Sequence, residues 1–137
     1  MANSGIVVKW TSLAPHFRSV LRIFAAFSFM LHGTLKLFAF PGGEKTVVLM
    51  SQFGLAGILE VFGGALMLLG LFTRPVAFLL AGEMAIAYFQ AHFPRSFWPV
   101  SNGGEASMLF CFIWLYFSAA GPGPWSIDEK FRGSRRS

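Results

Sequence analysis

The chain has 137 residues, of which 55% are hydrophobic, 17% aromatic and only 12% charged, with a net charge of +5 and a mean hydropathy of +0.60. A soluble domain carries about twice that charged fraction and cannot cover 17 phenylalanines, whereas a bilayer accepts them on the outside of the protein. This excludes an ordinary soluble globule and points to a single domain embedded in a membrane.

Four apolar spans follow in chain order, separated by Gly and Pro. The first covers about 17–40 and ends before Pro41-Gly42-Gly43. It is too long for the core of a signal peptide, is interrupted by His32 and Lys36, and has no small-x-small cleavage site after it, so it is expected to persist as a helix. A short apolar piece, Val47 to Met50, is expected at the interface. The second span covers 53–72 and stops at Thr73-Arg74-Pro75. The third, 76–92, ends where Pro94 disfavours helix at the residue before it. After a loop containing Trp98, Asn102, Gly103 and Gly104, the fourth covers 105–120 and is closed by Gly121-Pro122-Gly123-Pro124. Spans of this length match the roughly 20 residues needed to cross hydrocarbon, which predicts an all-α, transmembrane four-helix bundle. The basic tail, 128–137, is expected to be disordered.

Orientation follows from the cations. One side would hold Lys9, Arg18, Arg22, Arg74, Lys130, Arg132, Arg135 and Arg136, and the other only Lys36, Lys45 and Arg95. The positive-inside rule then predicts both termini in the cytoplasm of a multi-pass protein of the bacterial inner membrane. Arg18, Arg22 and Arg74 are expected to meet lipid head groups. The positive charge needs no nucleic acid to explain it.

Ionisable groups inside apolar spans are costly, so they should face one another and mark the working site. At 1.5 Å per residue His32 lies about 12 Å and Lys36 about 6 Å below the outer end of the first span. Glu60 lies about 10–12 Å and Glu83 about 13 Å below the outer ends of theirs. His92 and Glu105 sit at the outer rim. All six fall in the outer half. His32 and Lys36 share a helix face, as do Glu83 and Gln90; His92, nine residues after Glu83, joins them only if the helix unwinds before Pro94.

The order His32-Gly33-x-x-Lys36, Glu60-Val61-Phe62-Gly63-Gly64, Gly70-Leu71-Phe72-Thr73-Arg74, Glu83-Met84, His92, Phe97-Trp98, Asn102-Gly103-Gly104-Glu105 and Gly121-Pro122-Gly123 resembles the DoxX family of small four-helix bacterial membrane proteins. The resemblance covers about 22–128. It implies a redox-associated membrane subunit, since relatives are linked to thiosulfate:quinone oxidoreductase or to a membrane oxidoreductase complex working with superoxide dismutase and a sulfurtransferase. The positions carried over are His32, Lys36, Glu60, Arg74, Glu83, His92 and Glu105.

Two chemistries suit such residues. In a quinone site, a His and a carboxyl group hydrogen-bond the carbonyl oxygens and pass protons. Glu60, Glu83 and His32 would then carry the chemistry, and Lys36, His92, Glu105, Gln90, Trp98 and Asn102 would contact the ligand. A metal would use two His and three Glu, but there is no Glu-x-x-His pair and Lys36 would repel the ion. Haem between His32 and His92 is weaker still. A Glu–Lys or Glu–His network that only fixes helix packing stands against both.

The remaining features read as structure. Cys111 is alone, which rules out an internal dithiol. Gly57, Gly63, Gly64 and Gly70 permit close helix approach, and Trp98, Trp125 and Tyr116 are interfacial anchors or packing before they are a ligand cage. No phosphate loop, dinucleotide fingerprint or nucleophile elbow occurs. The reading is a redox or quinone-linked subunit whose expected partners are the bilayer and a redox partner or a second copy, with two alternatives: a non-catalytic small-solute or proton binding or transport protein, and a membrane anchor or assembly factor for soluble redox enzymes.

Overall fold

A computed structural model describes residues 2–134, and those residues contain helices and no strands. In chain order the helices are α1 (Ala2–Thr11), α2 (Ala14–Phe38), α3 (Gln52–Leu69), α4 (Thr73–Ala87), α5 (Pro99–Asn102), α6 (Glu105–Ala120) and α7 (Ile127–Ser134). A π-helical turn, Tyr88–His92, extends α4 without a break. The stretches Gly5–Phe38 and Gln52–Leu69 are long and apolar enough to cross a membrane. The α4 helix and its π turn together reach about 30 Å at 1.5 Å per residue, and α6 is shorter.

Packing is inside-out relative to a soluble protein. The interior is made largely of small residues, including Ala25, Ala26, Gly63, Gly64, Ala77 and Ala81, joined by Phe29, Met67, Leu80, Trp114 and Phe117. Phe24, Phe27, Phe62, Phe78, Leu79 and Phe112 face outward. Without a hydrophobic drive between helices in lipid, small residues let backbones approach and large ones meet acyl chains. Gly33 shows why: a Cβ there would lie 2.7 Å from Gly57 O and 2.8 Å from Val61 Cγ2, so a side chain at this point would push α2 away from α3. Gly63 and Gly64 face Leu80 and Met30, as their expected packing role requires.

The helices form two pairs, α2 against α3 and α4 against α6, which meet mainly along α3 and α4. Hydrogen bonds fix their alternating direction. Arg22 in the early part of α2 reaches the end of α3, Arg18 and Arg74 reach the end of α6, and Gln52 at the start of α3 reaches Gln90 at the end of the α4 unit. One end of the bundle therefore gathers the start of α2, the end of α3, the start of α4 and the end of α6. The other gathers the end of α2, the start of α3 and the end of α4.

Several expected boundaries shift for identifiable reasons. The first span stops at Phe38, where Ala39 takes a left-handed conformation, and the second stops at Leu69, where Gly70 does so at φ 66°. The third span begins earlier, at Thr73, because both carboxylate oxygens of Asp128 accept from its first amides, Phe72 N and Thr73 N, each at 2.9 Å. That clamp also holds Phe72 at φ 50°. The expectation of a disordered tail is corrected up to Ser134, since residues from Ile127 form α7. Asp128 on its first turn is what docks it. Arg135, Arg136 and Ser137 lie outside the described residues.

Arg22 also differs from expectation. Arg22 is 0% exposed and meets no head group. Its Nε donates to Pro122 O at 3.0 Å, one terminal nitrogen to Leu68 O at 2.7 Å and to Met67 O, and the other to Trp125 O at 2.5 Å. Helix C-termini leave carbonyls unsatisfied, and a guanidinium is the side chain best able to serve several at once. Arg18 donates to Ala120 O at 2.7 Å, and Arg74 to Ser118 O at 3.2 Å and to Ala119 O. These three side chains tie the helix ends together.

Candidate functional site

At the opposite end, α2, α3 and α4 each contribute ionisable side chains to one place. Lys36, one helical turn after His32, sits on the flank of α2 that faces α3. Its Nζ lies 2.5 Å from Oε1 of Glu60, which is 2% exposed, while Lys36 keeps 29% of its side chain open. Glu60 also lies within electrostatic reach of His32, and Glu83 on α4 lies within reach of Glu60 and Lys36. His32 itself is on the exposed side of α2, its ring edge-on to Phe110 with centroids 5.9 Å apart. Of the four side chains expected to converge, Lys36 and Glu60 are in contact, while His32 and Glu83 lie within electrostatic reach of Glu60 without bonding to it.

Hydrogen-bond satisfaction within the cluster is uneven. Glu60 Oε2 and both carboxylate oxygens of Glu83 are buried and make no hydrogen bond. Buried polar atoms are normally paired, and an unpaired one costs about 1–3 kcal/mol, which makes these three oxygens the acceptors here most in want of a donor. One lysine against two carboxylates leaves an excess of one acidic group. Such a pair of carboxyls can take up and release a proton, with Lys36 holding one of them in place. The Lys36–Glu60 pair in addition pins the end of α2 to the middle of α3.

The rim residues form a second, separate network. The π turn moves His92 toward the following loop, where its Nδ1 donates to Asn102 O at 3.3 Å. Asn102 is 2% exposed and donates to Ser96 O at 2.8 Å and to Tyr88 Oη at 3.2 Å, while its Oδ1 accepts from Gly104 N at 2.7 Å. The Tyr88 hydroxyl donates to Phe97 O at 2.6 Å. This network folds the loop between α4 and α6, so Asn102 acts on the loop. Gln90 bonds Gln52 and does not reach Glu83, because the π turn breaks the seven-residue register. Trp98 is exposed beside Phe97, and Glu105, exposed on the first turn of α6, makes no hydrogen bond or ion pair. These three therefore stand apart from the Glu60–Glu83 cluster.

Among the described residues no three His, Cys, Asp or Glu side chains are close enough to hold a metal ion. Cys111 is a half-buried free thiol packed against the core. Sequence reasoning missed the role of Arg22, although the signal was there: it lies inside an apolar span like Lys36, and the same cost argument applies. It also missed Tyr88 and Gln52, whose partners come from loop folding and helix pairing that no spacing rule encodes.

A helical chain with ionisable groups held between its helices and large apolar side chains turned outward defines a membrane protein. It belongs to the DoxX family, whose model matches residues 17–93. The chain is 42% identical over 123 residues to an uncharacterized protein of Haemophilus influenzae, covering 85% of this chain and 92% of that one. It is 33% identical over 88 residues to an uncharacterized membrane protein of Mycobacterium tuberculosis, covering 56% and 53% of the two chains. No solved structure matches.

Proposed function

We propose that the chain is a multi-pass subunit of the bacterial inner membrane, a transmembrane four-helix bundle of α2, α3, α4 and α6 with both termini cytoplasmic, in which the Glu60–Glu83 pair exchanges protons with a quinone. The observation that carries this reading is the set of unpaired, buried carboxyl oxygens on Glu60 and Glu83 beside the Lys36 ammonium. The residues fit the group: the orphaned oxygens can accept from a hydroxyl, and Lys36 and His32 can donate to a carbonyl. A bound quinone would supply the two-electron, two-proton chemistry that no side chain here offers.

The chain's own residues have distinct parts in this account. His32, on the exposed side of α2, is placed to meet a ligand arriving from the lipid, and Phe110 holds its ring edge-on. Lys36 keeps Glu60 oriented, so that the second oxygen of Glu60 and the carboxyl of Glu83 receive or give the proton. Electrons come from or go to a partner subunit, which the outward-facing apolar surface of the bundle can accommodate. His92 and Asn102 set the loop above the site and take no proton.

The test is quinone retention by the purified full chain in neutral detergent. The wild type should keep about one quinone per chain, and retention should fall about tenfold in Glu83→Gln and in His32→Ala, the size of one lost hydrogen bond to a charged group. Melting temperatures near the wild type would show that the fold survives. Equal retention by all three proteins would overturn the proposal.

A further inference from the structure

At the end of the bundle that holds the termini, a cleft of about 300 Å³ opens between the start of α2, the start of α4, α7 and the loop after α6. Arg18, Arg74 and Arg132 line it, against a single carboxylate, Glu129. We propose that this cleft binds the phosphate of an anionic phospholipid. The proposal is independent of the quinone reading, since the two sites lie at opposite ends of the bundle.

The arginines are set in advance for such a ligand. Arg18 and Arg74 each spend one terminal nitrogen on carbonyls at the end of α6, which fixes their planes and leaves other N–H groups open. Arg18 Nε is buried and has no partner. A guanidinium whose orientation is already fixed loses little entropy when it engages phosphate, and its fork matches two phosphate oxygens. Arg132 is held 3.3 Å from Glu129, so the carboxylate offsets one cation and two remain in excess.

A neighbouring cleft of about 410 Å³ argues for a lipid over a soluble phosphate. It shares Arg74, Pro122, Glu129 and Arg132 with the first and adds the exposed rings of Phe72 and Phe131. Basic and aromatic side chains at helix ends are what the head-group region of a bilayer selects. Asp128 also lines this second cleft, but both its oxygens are engaged by the first amides of α4.

Native mass spectrometry of the full chain in neutral detergent tests this with phosphatidylglycerol, phosphatidylcholine of the same acyl chains, and inorganic phosphate as the three probes. The expected result is preferential retention of phosphatidylglycerol, weakened about fivefold in Arg132→Ala, the effect of one basic residue near a membrane surface. Glu129→Gln should tighten it by a similar factor. That gain cannot come from misfolding, and neither variant disturbs the carbonyls at the end of α6. Equal retention of the two lipids, or no change in either variant, would overturn the proposal. So would inorganic phosphate displacing the lipid at equal concentration, which would assign the cleft to a soluble anion.

Discussion

Both ends of this bundle bury ionisable side chains, but they treat them in opposite ways. Around Arg22 the cation is met by four backbone carbonyls from the ends of α3 and the loop after α6. Around Glu83 both oxygens are buried and unmet, although a lysine lies nearby and already serves Glu60. A fully bonded buried charge is a fastening, since each of its bonds joins segments far apart in sequence. An under-bonded one raises the energy of the folded state and leaves acceptors free to take a donor. The comparison sets a well-bonded cation at the end with the termini against under-bonded carboxyl groups at the other, and the proposed function rests on the latter.

The largest effect that would test this contrast is Arg22→Leu. Removing the guanidinium leaves carbonyls of Met67, Leu68, Pro122 and Trp125 without their donor, and we expect a loss of about 3–5 kcal/mol in unfolding experiments in detergent. A shift below about 1 kcal/mol would mean that Arg22 is not the fastening described. Next in size is Lys36→Met, which strands Glu60; with Lys36 partly open to solvent the expected loss is about 1–3 kcal/mol. Adding Glu60→Gln should recover part of it, because a neutral amide tolerates the absence of the lysine. No recovery in the double variant would show that the lysine matters for packing alone. Smaller again is Asp128→Ala, which removes the cap of α4 and the clamp on Phe72; about 1 kcal/mol is expected from the melting temperature, with faster proteolysis after Ser126 as α7 comes loose.

The two ends also differ in how much of them the sequence reveals. His32, Lys36, Glu60 and Glu83 stand out because each interrupts an apolar run, and helix rise alone puts all four in the outer half of their spans. In the fold, Lys36 of α2 meets Glu60 of α3, and Glu83 of α4 lies within electrostatic reach of both. Arg22 interrupts the same first span, yet its nearness to a terminus made lipid head groups the natural expectation. What the sequence could not reveal was that α3 and α6 end at the depth of Arg22, leaving carbonyls for it to serve. The π turn at Tyr88–His92 was foreshadowed only by Pro94. Its consequence, that Gln90 leaves the face of Glu83 and joins Gln52, follows from the added residue in the turn and from nothing in the residue types. Asp128 lies in a stretch that composition marks as a polar tail. Its role depends on two amides far earlier in the chain, and such long-range capping has no local signature.

The most direct test of the central claim is a double-mutant cycle between Lys36→Met and Glu83→Gln, read by unfolding free energy in detergent. If the side chains of α2, α3 and α4 form one electrostatic unit, Lys36→Met will cost less in the Glu83→Gln background, with a coupling of about 0.5–3 kcal/mol. Effects that add to within about 0.3 kcal/mol would contradict it, because residues that act on one another through a shared buried site do not behave independently.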